Sequence, residues 1–294
     1  MLRDVGLEDI SDGRLYREND MVKTDTNSCQ GCKKICCIGM GRTIVLDPYD
    51  CYRLGIGTGK TFEQLLDTNI ELNMVDGCIL PNIKMQTVSN GCSFLGADNR
   101  CTIHNYRPGI CRMFPLGRYW EDDEHFYYIL QKGECNKDNL TKIKVRKWIG
   151  IDNIESYNSY VIQWHSYIKK VQRALAGLSE EQIKILNMYN LRTFYMKGYE
   201  ADKFFEEFKE RLVVLVAIFD YAFAQTGYVR YVLTYFQNSD EDIDTLVLGA
   251  SHARSAIDPQ KIDDVNDTNS FSLAIPGEMV KDSYYLLQEA CRSK

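Results

Sequence analysis

Eight of the eleven cysteines of this chain fall into two groups within about one hundred residues, and this clustering constrains the fold more than any other feature. The first group has the spacing Cys-x2-Cys-x3-Cys-Cys, and the second group is spread more widely. The members are Cys29, Cys32, Cys36 and Cys37, then Cys92, Cys101, Cys111 and Cys135. In a chain without secretory features, clustered thiols indicate metal or redox chemistry more often than disulfides. We therefore expect a small unit organised by cysteine-bound metal.

The residue type limits what such a cluster can hold. Thiolates are soft ligands, and four of them around one centre favour zinc or an iron–sulfur cluster over magnesium or calcium. The pair Cys29-x2-Cys32 has the spacing of a metal knuckle, in which two sulfurs of one turn converge on one ion. Cys36 and Cys37 are adjacent, and the side chains of adjacent residues diverge. One of these two thiols therefore belongs to a second site, bridges two metals, or is not a ligand.

Two structural explanations compete with metal binding. Free cysteines are often small buried apolar residues, and oxidised cysteines form disulfides. We apply the first explanation to the three cysteines outside the two groups and expect that they bind no metal: Cys51, Cys78 and Cys291. For the eight clustered cysteines we expect metal ligation, in one site or in two four-thiolate sites.

Basic residues lie close to the second cysteine group in the sequence. Arg107, Arg112 and Arg118 flank Cys111, and donors around thiolate sites commonly form hydrogen bonds to the sulfurs. The alternative is that these arginines form surface ion pairs with nearby acids, namely Asp98, Asp122 and Asp123. His104 is a candidate nitrogen ligand, since imidazole suits zinc, although a histidine in a loop is also ordinary polar surface.

The cysteine pattern resembles a known family. The residues that carry the resemblance are Cys29-x2-Cys32-x3-Cys36-Cys37, then Cys92-Ser-Phe-Leu95, then Cys101-Thr-Ile-His-x2-Arg107-Pro108-x2-Cys111-Arg112-x-Phe114-Pro115. Over about residues 25–140 they are similar to the bacterial cysteine-cluster family of zinc- or iron-chelating domains (YkgJ-like). His104 departs from the family pattern, in which an aromatic tyrosine is expected. The resemblance implies bound zinc or iron, with an iron–sulfur cluster as one form of the iron.

A second implication of the resemblance concerns catalysis. Flagellin lysine N-methylases carry a similar cysteine cluster, so the alternative to a metal-binding module is a cluster-dependent, protein-modifying enzyme. That alternative implies a protein substrate or partner. The sequence contains no Gly-rich strand–turn–helix typical of a nucleotide-type S-adenosylmethionine site, which weighs against an autonomous methyltransferase.

The spacing of apolar and turn residues predicts an α+β protein. We expect a small cysteine-rich, metal-organised N-terminal unit packed on a helical second half, followed by a short α/β-like segment. The predicted divisions are a loose lead-in (residues 1–24), the cysteine-cluster domain (25–141), a helical region (142–238) and an incomplete α/β segment (239–294).

Local signals predict individual elements of this fold. Residues 43–46 have the pattern of a short strand, and residues 116–120 and 125–130 that of a hairpin around an acidic turn. Capping boxes at Thr61 and Ser179 predict helix starts. A long apolar helix is predicted from residue 201 to residue 224, and its aromatic residues are expected in the core.

Two patterns imitate known active sites. Residues 55–61 end like a phosphate-binding loop, but Leu54 stands where that motif needs its first glycine, and we expect a flexible turn. Residues 245–252 predict a strand and a Gly-Ala-Ser-His turn, which resemble the opening of an SGNH-type esterase. The later blocks of that fold, with their Asp-x-x-His pair, find no room before Lys294. We therefore expect that Ser251 is not a working nucleophile.

Charge and hydropathy restrict the partners of the chain. A formal net charge of −6 and a pI of about 5.4 argue against a nucleic-acid surface. The longest apolar run, Leu212 to Phe219, is far shorter than the roughly 20 residues that span a bilayer. The first residues lack the features of a secretory signal. We therefore expect a cytoplasmic protein that binds neither nucleic acid nor a membrane.

Overall fold

The computed structural model describes residues 6–24, 37–133, 140–175, 178–219, 243–249 and 251–274, and for residues 217–219, 251 and 254 it describes the backbone alone. The chain divides into two compact units, residues 1–213 and residues 214–294. Helices alternate with small two-stranded sheets, which confirms the predicted α+β class.

The first unit contains helices and strands in mixed order. In sequence they are α1 (Leu7–Ile10), β1 (Met21–Thr24), α2 (Pro48–Thr58), α3 (Phe62–Thr68), β2 (Ile70–Val75), β3 (Cys78–Ile83), α4 (Gly109–Met113), β4 (Leu116–Trp120), β5 (Phe126–Leu130), β6 (Thr141–Lys144), α5 (Val145–Ile149), α6 (Ile154–Leu175), α7 (Glu180–Leu191) and α8 (Phe204–Phe219), which continues into the second unit. A short 3-10 helix, His104–Tyr106, precedes α4, and a π-helix, Arg192–Met196, follows α7.

The described part of the lead-in, residues 6–24, is not loose, contrary to the prediction. Strand β1 pairs antiparallel with β6, so that Met21 lies opposite Lys144 and Thr24 lies opposite Thr141. The backbones of Tyr16 and Tyr128 also exchange two hydrogen bonds of 2.8 Å. The pattern of buried residues in β1 has period two, with Val22 and Thr24 inside. The sequence did not predict this strand because four residues are too few to reveal an alternating pattern in a polar segment.

Helix α2 shows a start and an end that the sequence encodes. The Asp47 side chain accepts a hydrogen bond from the Asp50 N–H, and the Asp50 side chain accepts one from the Asp47 N–H. This capping box satisfies backbone donors that a helix start leaves unpaired. The helix ends at Gly59, whose φ of +68° suits glycine.

The flexible turn expected at residues 55–61 is therefore wrong for residues 55–58, because they form the last turn of α2. Glycine inside this turn has a packing reason. A Cβ on Gly57 would lie 2.5 Å from the Tyr106 ring, so only glycine allows that ring to approach. The stretch follows no strand and has no geometry of a phosphate-binding loop.

Other local predictions are confirmed. Capping boxes at Thr61 and Ser179 open α3 and α7. Strands β4 and β5 form the predicted hairpin, in which Leu116 faces Leu130 and Trp120 faces Phe126. The strand expected at residues 43–46 is reduced to one bridge, because only Val45 pairs, with Asn82.

Aromatic side chains of α2, α6 and α8 build a shared core. The ring centroid of Tyr49 lies 5.4 Å from that of Tyr157 and 4.9 Å from that of Phe204. Tyr160 meets Phe208 edge to face, with 4.6 Å between the ring centroids. Such pairs add to the stabilisation from burial. Because α2 lies between the two cysteine groups in the sequence, the cysteine region and the helices share one core.

Helix α8 begins three residues later than predicted, at Phe204, and residues 220–242 lie outside the described part of the chain. Its buried residues include Phe204, Phe208 and Leu215, as the prediction of a helical core required. Among the helices of the described ranges, none has both the length and the apolar character needed to cross a membrane.

The second unit has the strand–turn–helix order that the sequence predicts. Strand β7 (Thr245–Val247) leads to α9 (Ser251–Ala256) and α10 (Pro259–Asn266), and β8 (Ser270–Ser272) returns parallel to β7. Leu273, which is 1% exposed, is the centre of a small apolar cluster. Its neighbours are Ile243, Leu246, Leu248 and Phe271.

Candidate metal centre

The structure describes four of the eight clustered cysteines: Cys37, Cys92, Cys101 and Cys111. The other four lie outside the described residues: Cys29, Cys32, Cys36 and Cys135. All four described thiols are half-buried, and all four take part in interactions. Within the described part of the chain, no three His, Cys, Asp or Glu side chains form a metal-binding group.

The end of the first cysteine group lies against the start of the second. The Cys92 N–H donates a 2.7 Å hydrogen bond to the Cys37 carbonyl oxygen. One residue further out, Ile38 and Gly91 form an antiparallel bridge. The two groups, which are 55 residues apart at this point of the sequence, are therefore joined through the backbone.

A tight loop connects Cys92 with Cys101. The Leu95 N–H donates to the Cys92 carbonyl oxygen at 2.9 Å, and Leu95 forms a bridge with Cys101. The Phe94 N–H points at the sulfur of Cys92, with 3.4 Å between the nitrogen and Sγ. A hydrogen bond to a sulfur favours its charged form, so this loop is suited to a thiolate at Cys92.

Cys111 lies in α4, a single helical turn that follows Pro108. Two arginines form hydrogen bonds to backbone carbonyl groups in the segment before α4. Arg107 donates from Nε to the His104 carbonyl oxygen at 3.0 Å, and Arg112 donates to the Arg107 carbonyl oxygen at 2.9 Å. Arg112 is only 7% exposed, and burial lowers its pKa, followed by the effect of the Arg53 charge. A positive charge is thus held next to Cys111 in the chain.

Among the described residues, Arg118 contacts aromatic side chains. Its guanidinium donates to the Tyr157 hydroxyl at 2.8 Å and lies over the rings of Phe126 and Tyr157. The surface acids have other partners: Asp122 contacts His125, and Asp123 contacts Arg173. The alternative of a surface ion pair between Arg118 and these acids is wrong, because the guanidinium lies against Tyr157 and Phe126.

His104 has a buried ring nitrogen. Nε2 has no hydrogen-bond partner, and burial lowers the pKa of the imidazole, assisted by the charges of Arg107 and Arg100. The ring is therefore neutral at pH 7, which is the form that binds metals. Ligation by His104 stays a prediction.

Two of the remaining cysteines are buried, as expected. Cys51 is 7% exposed and Cys78 is 1% exposed. Burial, helped by the charge of Asp76, raises the pKa of Cys78 to about 11, and burial raises the pKa of Cys51 well above its ordinary value. Both are held as neutral thiols, which are poor ligands. Cys291 lies outside the described residues.

Sequence reasoning missed a buried carboxylate beside the second cysteine group. Asp50 is 4% exposed, and its Oδ1 accepts a 2.7 Å hydrogen bond from the Gly109 N–H. Burial, together with the Asp47 charge, raises the pKa of Asp50, and burial also raises the pKa of Asp47. An Asp-Pro-x-Asp string is a signal for a capped helix start, but it does not reveal the contact with Gly109.

A comparison with known families identifies the cysteine segment. Residues 28–136 match the family model CxxCxxCC, described as "Putative zinc- or iron-chelating domain". The match includes both cysteine groups and covers well under half of the chain. No curated protein and no solved structure matches the chain. The family match indicates zinc or iron chelation as the function of this segment.

Proposed function

We propose that residues 28–136 bind zinc or iron through clustered thiolates, as a YkgJ-like member of the cysteine-cluster family. The ligands are drawn from Cys29, Cys32, Cys36, Cys37, Cys92, Cys101, Cys111 and Cys135. The observation that carries the proposal is the family match, which begins one residue before Cys29 and ends one residue after Cys135.

The chemistry of the described thiols supports this proposal. The Phe94 N–H donates to the Cys92 sulfur, with 3.4 Å between the nitrogen and Sγ. A hydrogen bond to a sulfur stabilises its negative form. The buried thiols Cys51 and Cys78 have raised pKa values instead. These surroundings support Cys92 as a ligand, and Cys51 and Cys78 as thiols that bind no metal.

Strand pairing supports the proposed limits of the metal-binding segment. Thr24 lies opposite Thr141 at the end of the β1–β6 pair. The segment proposed to bind metal, residues 25–141, therefore begins and ends at one point of the structure. The helical region (142–238) and the SGNH-like segment (239–294) are proposed as the other parts of the chain.

Metal analysis of anaerobically purified protein tests the proposed function. We expect about one or two equivalents of zinc without colour, or iron with the visible absorption of an iron–sulfur cluster. Cys92→Ser and Cys101→Ser should lower the metal content, whereas the matched control Cys51→Ala should leave it unchanged. Protein without stoichiometric zinc or iron contradicts the proposal.

The alternative function is a cluster-dependent enzyme that modifies a protein, like the flagellin lysine N-methylases. It is supported by the similar cysteine pattern alone. This alternative includes a protein partner and a cytoplasmic location, in which a reducing environment keeps thiolates available for metal. The measurement is transfer of a labelled methyl group from S-adenosylmethionine to flagellin by metal-loaded protein, with the Cys92→Ser variant as the control. If wild type and Cys92→Ser transfer equal amounts of labelled methyl group to flagellin, or if neither transfers any, the alternative function is contradicted.

A further inference from the structure

The helical turn that carries Cys111 is held at both ends by side chains from distant parts of the chain. At its start, the Gly109 N–H donates to Asp50 Oδ1 at 2.7 Å. At its end, the Trp148 indole N–H donates to the Met113 carbonyl oxygen at 2.8 Å. A single helical turn is unstable alone, because it fixes several residues for few hydrogen bonds. These outside contacts therefore determine where Cys111 lies.

The bond to Asp50 is protected from water. Asp50 is 4% exposed and belongs to α2, whose capping box already fixes its other oxygen on the Asp47 N–H. A hydrogen bond in such a buried setting is electrostatically stronger than the same bond in water. The Gly109 N–H is one of the donors that a helix start leaves unpaired, and Asp50 satisfies it.

The backbone approaches Asp50 closely because residue 109 is glycine. A Cβ at this position would lie 2.6 Å from the Tyr157 hydroxyl and 3.6 Å from Asp50 Oδ1. Tyr157 is itself completely buried and is held by Arg118. No side chain larger than hydrogen therefore fits without moving α4 away from α2 and α6.

We propose that Asp50 is a positioning residue of the metal centre, which sets the place of Cys111 through its hydrogen bond to the Gly109 N–H. This inference rests on the proposed function, because it takes Cys111 as a metal ligand. A thiolate held in place loses less conformational freedom when metal binds than a thiolate on a free loop. The helical core thereby contributes to metal affinity without supplying a ligand.

The test compares three variants by zinc affinity, measured in competition with a chelator. Residues that orient metal ligands typically change affinity by about 10- to 100-fold when they are replaced. We expect a loss of that size for Asp50→Ala and for Gly109→Ala. Asp50→Asn keeps an oxygen that can accept the Gly109 N–H, and its affinity should stay within about threefold of the wild type.

Asp47→Ala is the matched control for general destabilisation. It removes the other half of the α2 capping box but leaves the Asp50–Gly109 bond in place. It should lower the melting temperature and leave zinc affinity unchanged. A cobalt-loaded Asp50→Ala protein should also lose sulfur-to-metal charge-transfer absorption, in the direction of a Cys111→Ser reference. A purely structural role of Asp50 would not produce that spectral change.

The outcomes separate this inference from the proposed function. Wild-type affinity in Asp50→Ala or Gly109→Ala overturns the positioning role, and so does an equal loss in Asp47→Ala. If Asp50→Ala does not fold, Gly109→Ala and its cobalt spectrum decide alone. A wild-type protein that binds no zinc, iron or cobalt overturns the proposed function and this inference together. Metal binding that is indifferent to these variants overturns the inference only.

Discussion

Within the described chain, the part that carries the cysteines (residues 37–133, here the cysteine region) and the helical part (residues 145–175 and 178–211) are each stabilised in a different way. The helical region contains the 22-residue α6, whose buried residues recur every three or four positions. The cysteine region has short two-stranded sheets, single helical turns and bonds between distant backbone segments. The sequence of an amphipathic helix itself supplies the apolar face through which the helix packs. The loops of the cysteine region need partners outside the loops, which here are helix α2 with its Asp50 and, under the proposed function, metal.

Removal of metal should produce the largest difference in stability between the two parts of the chain. In zinc-finger peptides, binding of structural zinc contributes about 10–16 kcal/mol to folding. Treatment with a chelator should therefore deprotect backbone amides of residues 84–111 in hydrogen exchange, while α6 and α7 stay protected. We expect α2 to behave like α6, because Tyr49 belongs to the aromatic core. Equal deprotection of both parts, or no deprotection near the cysteines, would show that metal does not stabilise the cysteine region selectively. Added zinc should restore protection.

A cavity in the aromatic core should have the next largest effect. Phe208 is 1% exposed and packs on Tyr160, so Phe208→Ala should reduce the free energy of unfolding by about 3–5 kcal/mol. The folded variant should still bind metal, which elemental analysis can check. Val213 is 62% exposed, and Val213→Ala is a control expected to cost less than about 0.5 kcal/mol. If Phe208→Ala lost metal in proportion to its loss of unfolding free energy, metal binding would depend on the stability of the helical part.

Acid should weaken the contact between the β4–β5 hairpin and α6. Trp120 stacks on His165 with 3.6 Å between the ring centroids, and burial lowers the pKa of His165 from 6.5 to about 4. Between these values the unfolded chain binds a proton that the folded chain does not, so stability falls as the pH drops from 6.5 towards 4. His165→Phe should reduce this loss, measured by denaturant unfolding across that pH range.

His125 provides the control for the acid effect. It is exposed, and its contact with Asp122 raises its pKa instead. His125→Gln should therefore keep the loss of stability between pH 6.5 and pH 4. If the His165 and His125 variants show the same pH dependence, the stacking contact is not responsible.

The smallest expected effect concerns Ser251 in the second unit. A serine hydroxyl is a weak nucleophile unless a base activates it. His252 is adjacent and exposed, and the other histidines, at positions 104, 125 and 165, belong to the first unit. We expect neither ester hydrolysis nor labelling of Ser251 by a fluorophosphonate, with Ser251→Ala as the control. Stoichiometric labelling that this variant abolishes would contradict the prediction.

Sequence patterns were sufficient where a few neighbouring residues determine the structure. The capping boxes at Thr61 and Ser179, the β4–β5 hairpin and the α+β class are all confirmed. The capping boxes and the hairpin depend on contacts between residues that are close in the sequence. The cysteine spacing likewise identified the segment that the family model matches.

Patterns failed where one residue meets another far away in the chain. The Asp50 carboxylate bonds Gly109 across 59 residues, and no local signal marks that pair. For Arg118 the sequence left open a bond to the cysteine sulfurs or an ion pair at the surface, and it gave no signal for the observed bond to Tyr157. The position of a long side chain depends on the packing of helices that the sequence places elsewhere.

Pairing of β1 with β6 changes the effective length of the chain between the cysteines. Cys29 and Cys135 are 106 residues apart in the sequence, but Cys29 follows Thr24 by five residues and Cys135 precedes Thr141 by six. Once Thr24 and Thr141 are paired, the shortest path between the two thiols runs through this pair and is about a dozen residues long. The entropy of closing a ring between the first and last cysteine is then that of a short loop. Strand pairing before metal capture turns a long-range search into a local one.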